Sequence, residues 1–192
     1  MRAMRNLIAI AAAALLAVAG CNRGEKTATA ARGAQEQQQP KSAAQQQQVG
    51  TDVGATMPDY SAMWLDGSKF DLATKRDKVV LLNVWATWCG PCRFEIPALE
   101  AIHAKYKPRG FEVIGVSVDE SGFESVKQFV HDNKMTYPVA LDPEGRLAGI
   151  FQTSVLPTSV LLDREGKILW KKYGAILPQD EPELTKVVES AL

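Results

Sequence analysis

Two cysteines three positions apart, Cys89 and Cys92, are the residues of this chain best suited to do chemistry. Such a pair can form and release a disulfide, which moves two electrons between thiol pairs. Pro91 between them indicates the start of a helix, because proline is favoured in the first helical turn. Unpaired N–H groups there lower the pKa of a thiol, so Cys89 is predicted to be the attacking thiolate. Cys92, one turn further, is predicted to be the shielded thiol that resolves a mixed disulfide.

The same spacing also occurs in metal sites. A structural zinc site normally needs four Cys or His ligands. The only other cysteine is Cys21, and the two histidines, His103 and His131, lie outside any ligand-like cluster. We therefore expect neither a resident metal nor a cofactor. A Cu(I) site on Cys89 and Cys92 stays open as an alternative, because thiolates are soft ligands.

The N-terminus has the layout of a secretory signal peptide. Two arginines precede an apolar run over residues 7–19, which is short for a membrane span. Val18-Ala19-Gly20-Cys21 resembles a bacterial lipobox, so we predict a lipoprotein signal peptide over residues 1–20 and lipidation of Cys21. The protein would then be a membrane-anchored lipoprotein on the periplasmic side of the cell envelope. Cleavage after Ala19 is the alternative, and it would release a soluble protein with a free thiol.

Export bears on the role of the cysteine pair. Thiol pairs outside the cytosol tend to be oxidised, so a pair there is either a structural staple or a working redox centre. A bridge between residues three apart closes almost no loop and stabilises the fold little. The pair is therefore predicted to be a redox centre.

Composition divides the remaining chain into a tether and a domain. Residues 21–50 are rich in Ala, Gln, Gly and charge and have almost no large apolar side chains, which predicts a disordered tether. Residues 51–192 have the length of one domain with one hydrophobic core. The chain has 22 basic and 22 acidic residues, and removing Arg2 and Arg5 with the signal leaves 20 against 22, a net charge near −2. This balance gives no reason to expect nucleic-acid binding. We also expect the protein to be a monomer.

The apolar pattern predicts the elements that position the cysteine pair. The run over residues 79–85 predicts a central strand, covered on both faces, that delivers Cys89 to the edge of a sheet. Asp66-Gly67 predicts an N-terminal hairpin. Further strands are predicted at residues 111–118, 137–141, 158–162 and 167–173, and helices after the cysteines and around residues 126–130, 145–151 and 184–192. This order describes an α/β fold with a mixed sheet flanked by helices.

Two segments resemble the membrane-tethered thiol:disulfide oxidoreductases of the TlpA/ResA type, within the thioredoxin superfamily. They are Leu156-Pro157-Thr158 and the segment at residues 83–93, NVWATWCGPCR, which is followed by Glu95-Ile96-Pro97. The resemblance covers residues 55–192. It implies a thioredoxin-like fold with a central insert, residues 119–151, that helps to form the substrate groove.

The resemblance also implies which residues dock the substrate. Pro157 should follow a cis peptide bond that faces the cysteine pair and should present backbone to the substrate. From sequence alone, a trans proline opening a strand would be the ordinary expectation. Trp88 is predicted to shape the surface around Cys89. Gly90 and Pro91 complete this surface, and Gly90 lets a partner backbone approach closely.

Proton transfer is the second role that the resemblance implies. Asn83 stands where classical thioredoxins keep a buried aspartate, and an amide cannot accept a proton in that way. Glu120 matches a glutamate of ResA-like proteins. Glu120 is therefore predicted to be a buried carboxylate of raised pKa that accepts the proton of Cys92. A solvated loop carboxylate is the alternative.

The implied function is reduction of disulfides in exported proteins. A membrane electron donor of the DsbD or CcdA type would supply the electrons, with apocytochrome c the leading substrate and copper-site proteins next. Gly90-Pro91 is thioredoxin's own dipeptide, and potentials are about −270 mV in thioredoxin against about −120 mV in DsbA. A disulfide oxidase of the same fold and a Cu(I)-binding assembly module stay open. A peroxidase is set aside, because Leu82 and Ala86 stand where peroxiredoxins carry Pro and Thr.

Overall fold

Strands and helices alternate along residues 48–192, the part of the chain that a computed structural model describes. The strands are β1 (Ser61–Trp64), β2 (Lys69–Asp71), β3 (Val79–Trp85), β4 (Phe111–Ser117), β5 (Val139–Leu141), β6 (Thr158–Leu162) and β7 (Ile168–Tyr173). The α-helices are α1 (Gly90–Tyr106), α2 (Phe123–Asp132), α3 (Arg146–Ile150) and α4 (Glu181–Ala191).

The predicted signal peptide, Cys21 and the predicted tether up to residue 47 lie outside the described residues. Between residues 48 and 192, the helices are all too short or too polar to cross a membrane.

The seven strands form one mixed sheet in the order β2-β1-β5-β4-β3-β6-β7. β3, β4 and β5 run parallel, and the outer strands pair antiparallel. The predicted fold class and the N-terminal hairpin are confirmed. Sequence did not reveal that this hairpin joins the main sheet, with Trp64 opposite Ala140. β5 begins two residues later than predicted, at Val139, because Pro138 has no N–H for the ladder.

All seven residues of β3 are buried, as predicted for a central strand. Successive side chains point to opposite faces. Val79, Leu81 and Trp85 join the core with α1, α2 and α4, and Val80, Leu82 and Val84 join a second core with the N-terminal hairpin and α3. Asn83 alternates with this second set and therefore faces α1. It is the one polar side chain of the strand.

The chain enters the described domain beside the turn between β6 and β7. Val49 forms a bridge with Thr56, which in turn bridges Lys167. The N–H of Met57 donates to the Gly166 carbonyl at 2.9 Å. Since β6 runs antiparallel to β3, this turn lies at the end of the sheet where β3 begins. The point of entry is therefore at the opposite end from the cysteine pair.

A glycine on β4 makes room for the largest buried side chain of β3. Trp85 is 2% exposed, and its ring centroid lies 5.2 Å from that of Phe129. A Cβ added at Gly115 would lie 2.9 Å from Trp85 Nε1 and 3.3 Å from atoms of both Tyr137 and Val139. The close packing of the indole therefore requires glycine here.

We expect Gly115→Ala to lower the free energy of unfolding by about 1–3 kcal/mol, the usual range for overpacking a core. Chemical denaturation with tryptophan fluorescence would measure the loss. The matched control is Gly149→Ala on α3, where an added Cβ meets nothing within 4 Å. That change should leave stability equal or slightly higher, because alanine favours helix. Equal stability of Gly115→Ala and wild type would contradict the packing argument.

Candidate active site

Cys89 and Cys92 form a disulfide at the N-terminus of α1, with 5.3 Å between their Cα atoms. β3 ends at Trp85, and a short turn leads to Cys89, which is the N-cap of the helix. Pro91 occupies the first helical turn, as the sequence predicts. The N–H of Cys92 donates to Cys89 Sγ at 3.2 Å. A donor is thus already aimed at the sulfur that would carry charge after reduction.

The two sulfurs differ in access. Cys89 is 6% exposed and Cys92 is 1% exposed, and both belong to the apolar core between the sheet and α1. A partner sulfur can therefore approach Cys89 more readily than Cys92. This order matches the predicted attacking and resolving thiols.

Glu95 is a buried carboxylate on the same helix, only 1% exposed. Its Oε1 accepts a hydrogen bond from Asn83 Nδ2, and its Oε2 accepts one from the N–H of Ile176, both at 2.7 Å. Asn83 Nδ2 also donates to Ser159 Oγ at 3.0 Å. Glu95 follows Cys92 by three positions, a spacing that places both side chains on one helix face.

Burial raises the pKa of Glu95 from 4.5 to about 7, although the hydrogen bonds from Ile176 and Asn83 act in the opposite direction. A carboxyl group that titrates near neutrality is suited to accept and return protons. The raised pKa also makes the stability of the fold depend on pH. The contribution of Glu95 to the free energy of unfolding is fully present below its unfolded pKa and is lost as the pH rises through about 7. The shift corresponds to about 3 kcal/mol.

The structure places Glu120 on the surface, in the turn between β4 and α2. The expectation that Glu120 is buried was therefore wrong, because this turn projects from the sheet into solvent. The condition for a raised pKa, burial near the thiols, is met by Glu95 instead. Its signal in the sequence was spacing, since Glu95 shares a helix face with Cys92 and Leu99. Sequence reasoning treated Glu95 only as part of the motif.

The predicted docking residues lie around the disulfide. The Leu156–Pro157 bond is cis, as the resemblance implied. β6 begins directly after Pro157 with Thr158 opposite Val84, so Pro157 lies beside the end of β3 that leads to Cys89. Trp88 is 70% exposed, and Gly90 and Pro91 are also on the surface. Their docking role stays a prediction.

The two histidines, His103 and His131, make structural contacts. His103 is buried, and its Nδ1 accepts a hydrogen bond from the N–H of Val113 at 3.1 Å. Burial lowers the pKa of His103. His131 is exposed beside Asp132 on α2. Within residues 48–192, no three His, Cys, Asp or Glu side chains are grouped so that they could hold a metal ion.

Sequence comparison gives this disulfide site its family. Residues 52–188 match the Redoxin family. The chain belongs to the Redoxin family. Within it, the chain is 37% identical to the thiol-disulfide oxidoreductase ResA of Bacillus cereus over 122 residues, 64% of this chain and 70% of that protein. A ResA of Bacillus thuringiensis subsp. konkukian is 34% identical over 137 residues, 71% of this chain and 79% of that protein.

Solved structures agree with this assignment to the Redoxin family. A thiol:disulfide interchange protein DsbE from Chlorobium tepidum superposes with a TM-score of 0.68 at 34% identity, covering 74% of this chain and 99% of that one. A protein disulfide isomerase from Bacteroides thetaiotaomicron superposes with a TM-score of 0.66 at 32% identity, covering 74% and 91%. This redoxin is a thiol-disulfide oxidoreductase of the ResA type with a thioredoxin-like fold, as the sequence indicated.

We expect Glu95→Gln to slow disulfide exchange at neutral pH by about a hundredfold, because general-base assistance is lost. The wild-type rate should rise with pH through about 7 as Glu95 ionises, and the variant should lose this step. Stopped-flow exchange with a peptide disulfide between about pH 5 and about pH 9 would measure it.

The matched control for this measurement is Glu120→Gln. Because Glu120 is exposed, its rate and pH profile should equal those of wild type. If Glu120→Gln changed the pH profile and Glu95→Gln did not, Glu120 and not Glu95 would be the proton acceptor.

Proposed function

We propose that this oxidoreductase works as a reductase of disulfides in exported proteins. The observation that carries the proposal is the buried Glu95 on the helix face of Cys92. It gives the pair a proton acceptor that titrates near neutral pH.

Each turnover exchanges thiolates and disulfides in two steps. The Cys89 thiolate attacks one sulfur of the substrate disulfide, and the other substrate sulfur leaves as a thiolate. Glu95 takes the proton of Cys92, and the Cys92 thiolate attacks Cys89 in the mixed disulfide. The Cys89–Cys92 disulfide forms, the second substrate sulfur leaves, and both substrate thiolates take up protons. Two electrons pass to the substrate, and the disulfide of this structure is the oxidised product.

Electrostatics around the pair supports the reducing direction. An ionised carboxylate near a thiol disfavours the thiolate. Glu95 therefore destabilises the reduced, anionic pair relative to the disulfide, and this lowers the reduction potential. The Gly90-Pro91 dipeptide also supports the reducing direction, because thioredoxin, which has the same dipeptide, has a reduction potential of about −270 mV.

The surroundings of the disulfide favour a polypeptide substrate. Trp88 and Phe94, at 70% and 66% exposed, flank the pair in sequence. Val155, at 45%, precedes Pro157 in the chain, and Tyr173, at 46%, pairs with Thr158 directly after it. Exposed apolar side chains grouped at one end of a sheet are typical of a protein-binding surface. Among exported proteins, the resemblance puts apocytochrome c first and copper-site proteins next.

Membrane attachment and the electron donor complete the proposal. The lipobox-like sequence before Cys21 supports a lipid anchor on the outer side of the cytoplasmic membrane or beyond. A reductase outside the cytosol needs a source of electrons, for which a membrane protein of the DsbD or CcdA type is the candidate. These parts rest on sequence resemblance.

The reduction potential tests the direction of electron flow. Equilibration of the Cys89–Cys92 pair with glutathione or thioredoxin buffers should give a value below about −200 mV, and Glu95→Gln should raise it by about 30 mV. Glu120→Gln is the control and should leave it unchanged. A wild-type value near −120 mV would mean that the protein is an oxidase.

Trapping tests the substrate. Cys92→Ser expressed in the native host should hold substrates as mixed disulfides on Cys89, to be identified by non-reducing gels and mass spectrometry. We expect apocytochrome c or copper-site proteins. The double variant Cys89→Ser/Cys92→Ser is the control and should trap nothing. If Cys92→Ser captured no protein and copper co-purified with the wild-type cysteine pair, the Cu(I)-binding module would be favoured.

We expect Cys21→Ala to move the protein from the membrane fraction to the soluble fraction, because the lipid-bearing sulfur is lost. Fractionation with detection of the domain would measure this. A variant that stays in the membrane fraction would mean that the signal peptide is an uncleaved anchor.

A further inference from the structure

The turn that carries the reactive segment is held by a second buried carboxylate, Asp119. Asp119 is 1% exposed and follows the end of β4. Its Oδ2 accepts the backbone N–H of Thr87 at 2.9 Å, and its Oδ1 accepts the Thr87 hydroxyl at 2.5 Å. Both hydrogen-bond donors of Thr87, its N–H and its hydroxyl, are therefore bound by one side chain. Thr87 lies two residues before Cys89.

The position of Asp119 is itself fixed. Ser117 Oγ donates to Asp119 Oδ2 at 2.7 Å, and the N–H of Asp119 donates back to Ser117 Oγ at 3.1 Å. The N–H of Val118 donates to the Trp85 carbonyl at 2.9 Å, which extends the pairing of β4 with β3. The contact of Asp119 with Thr87 is therefore a clamp between the end of β4 and the turn before α1.

The clamp sets the geometry of a groove beside the disulfide. This groove is open to solvent and lies between the start of α1 and α2, with Thr87, Trp88, Arg93, Gln128, Phe129 and Asn133 among its lining residues. The Arg93 guanidinium lies 5.7 Å from the centroid of the Phe129 ring. Trp88 is exposed and lies on the same wall of the groove as Thr87.

Asp119 connects the two walls of this groove. It is hydrogen-bonded to Thr87 on one wall, and the chain passes from Asp119 to the first residue of α2, Phe123, on the other. Cys89 has separate restraints, namely its place at the N-cap of α1 and its own N–H bond to the Ala86 carbonyl at 3.1 Å. Loss of the clamp would therefore alter the groove more than the sulfur.

We propose that Asp119 is a positioning residue for polypeptide substrates: by fixing Thr87 it holds Trp88 and the groove in the form that receives the chain around a substrate disulfide. The inference rests on the proposed protein substrate. It assigns to the reaction a side chain that touches neither sulfur.

The test compares two disulfides at the same reduced enzyme. A peptide disulfide needs the groove, whereas a small aromatic disulfide needs only Cys89. Asp119→Asn replaces one acceptor oxygen of the clamp by an NH2 group at constant shape, and Thr87→Val removes the hydroxyl at constant shape. Thr87→Ser keeps both donors and is the conservative variant. The readouts are the second-order rate constants for both disulfides and the alkylation rate of Cys89 against pH.

We expect Asp119→Asn and Thr87→Val to slow exchange with the peptide disulfide about tenfold, the size of effect that misplaced contacts produce. The small disulfide and the alkylation profile should stay within about twofold of wild type. Thr87→Ser should restore the peptide rate. The double variant Asp119→Asn/Thr87→Val should be no slower than Asp119→Asn alone, because both changes act on the same contact between Asp119 and Thr87.

Asp142 offers a matched control for loss of a buried carboxylate. It is 0% exposed and accepts hydrogen bonds from Tyr60 Oη at 3.0 Å, Arg146 Nε at 3.1 Å and the N–H of Leu147 at 2.9 Å. These contacts fix α3 and not the turn before α1. Asp142→Asn should lower the melting temperature and leave the ratio of the two rate constants unchanged.

Three results would overturn the role of Asp119. They are equal slowing of both disulfides, no slowing of either, and the same change of ratio in Asp142→Asn. If Asp119→Asn does not fold, the comparison of Thr87→Val with Thr87→Ser decides. A wild-type protein that exchanged only with the small disulfide would instead refute the proposed protein substrate, and one that exchanged with neither would refute the thiol chemistry.

Discussion

The contact between Glu95 and Asn83 joins the helix that carries the disulfide to the central strand of the sheet. A carboxylate buried without donors would be far too costly, so its oxygens must meet N–H groups. One donor comes from β3, and the other is the backbone of Ile176, beyond β7. These two hydrogen bonds therefore restrain the rotation and the axial position of α1 on the sheet. Cys89, at the N-terminus of α1, is held close to the end of β3.

The apolar core around this contact makes it possible. β3 supplies side chains to cores on both of its faces, and only Asn83 interrupts the series. Dense apolar packing excludes water from the carboxyl group and raises the pKa of Glu95. The same packing shields Cys92. Burial thus provides both a protected thiol and a carboxyl group that titrates near neutral pH.

Each of the three parallel strands is followed by a residue of the site or by a buried carboxylate. Cys89 follows β3, Asp119 follows β4, and Asp142 follows β5. In open α/β sheets, the carboxyl ends of strands are where ligands bind. The three residues have different tasks there, since the cysteine reacts, Asp119 fixes the turn before it, and Asp142 fixes α3.

The sequence was sufficient for the strands, the helix start and the reactive pair, because these follow from local signals. The apolar run of β3 and the position of Pro91 are two such signals, and both predictions are confirmed. The buried carboxyl group of Glu95 was not found in this way. Whether Glu95 or Glu120 is buried depends on how α1 and the turn after β4 pack, and this is a property of the tertiary structure. The pairing of β1 with β5 was missed for the same reason, because residues about 80 positions apart carry no local signal of their contact.

The bridges from Thr56 to Val49 and Lys167 have a consequence for access to the disulfide. They hold the first described residues beside the start of β3, about 20 Å along the strand from the end that leads to Cys89. A protein bound to this entry segment and a protein bound around Cys89 would therefore not compete for the same surface.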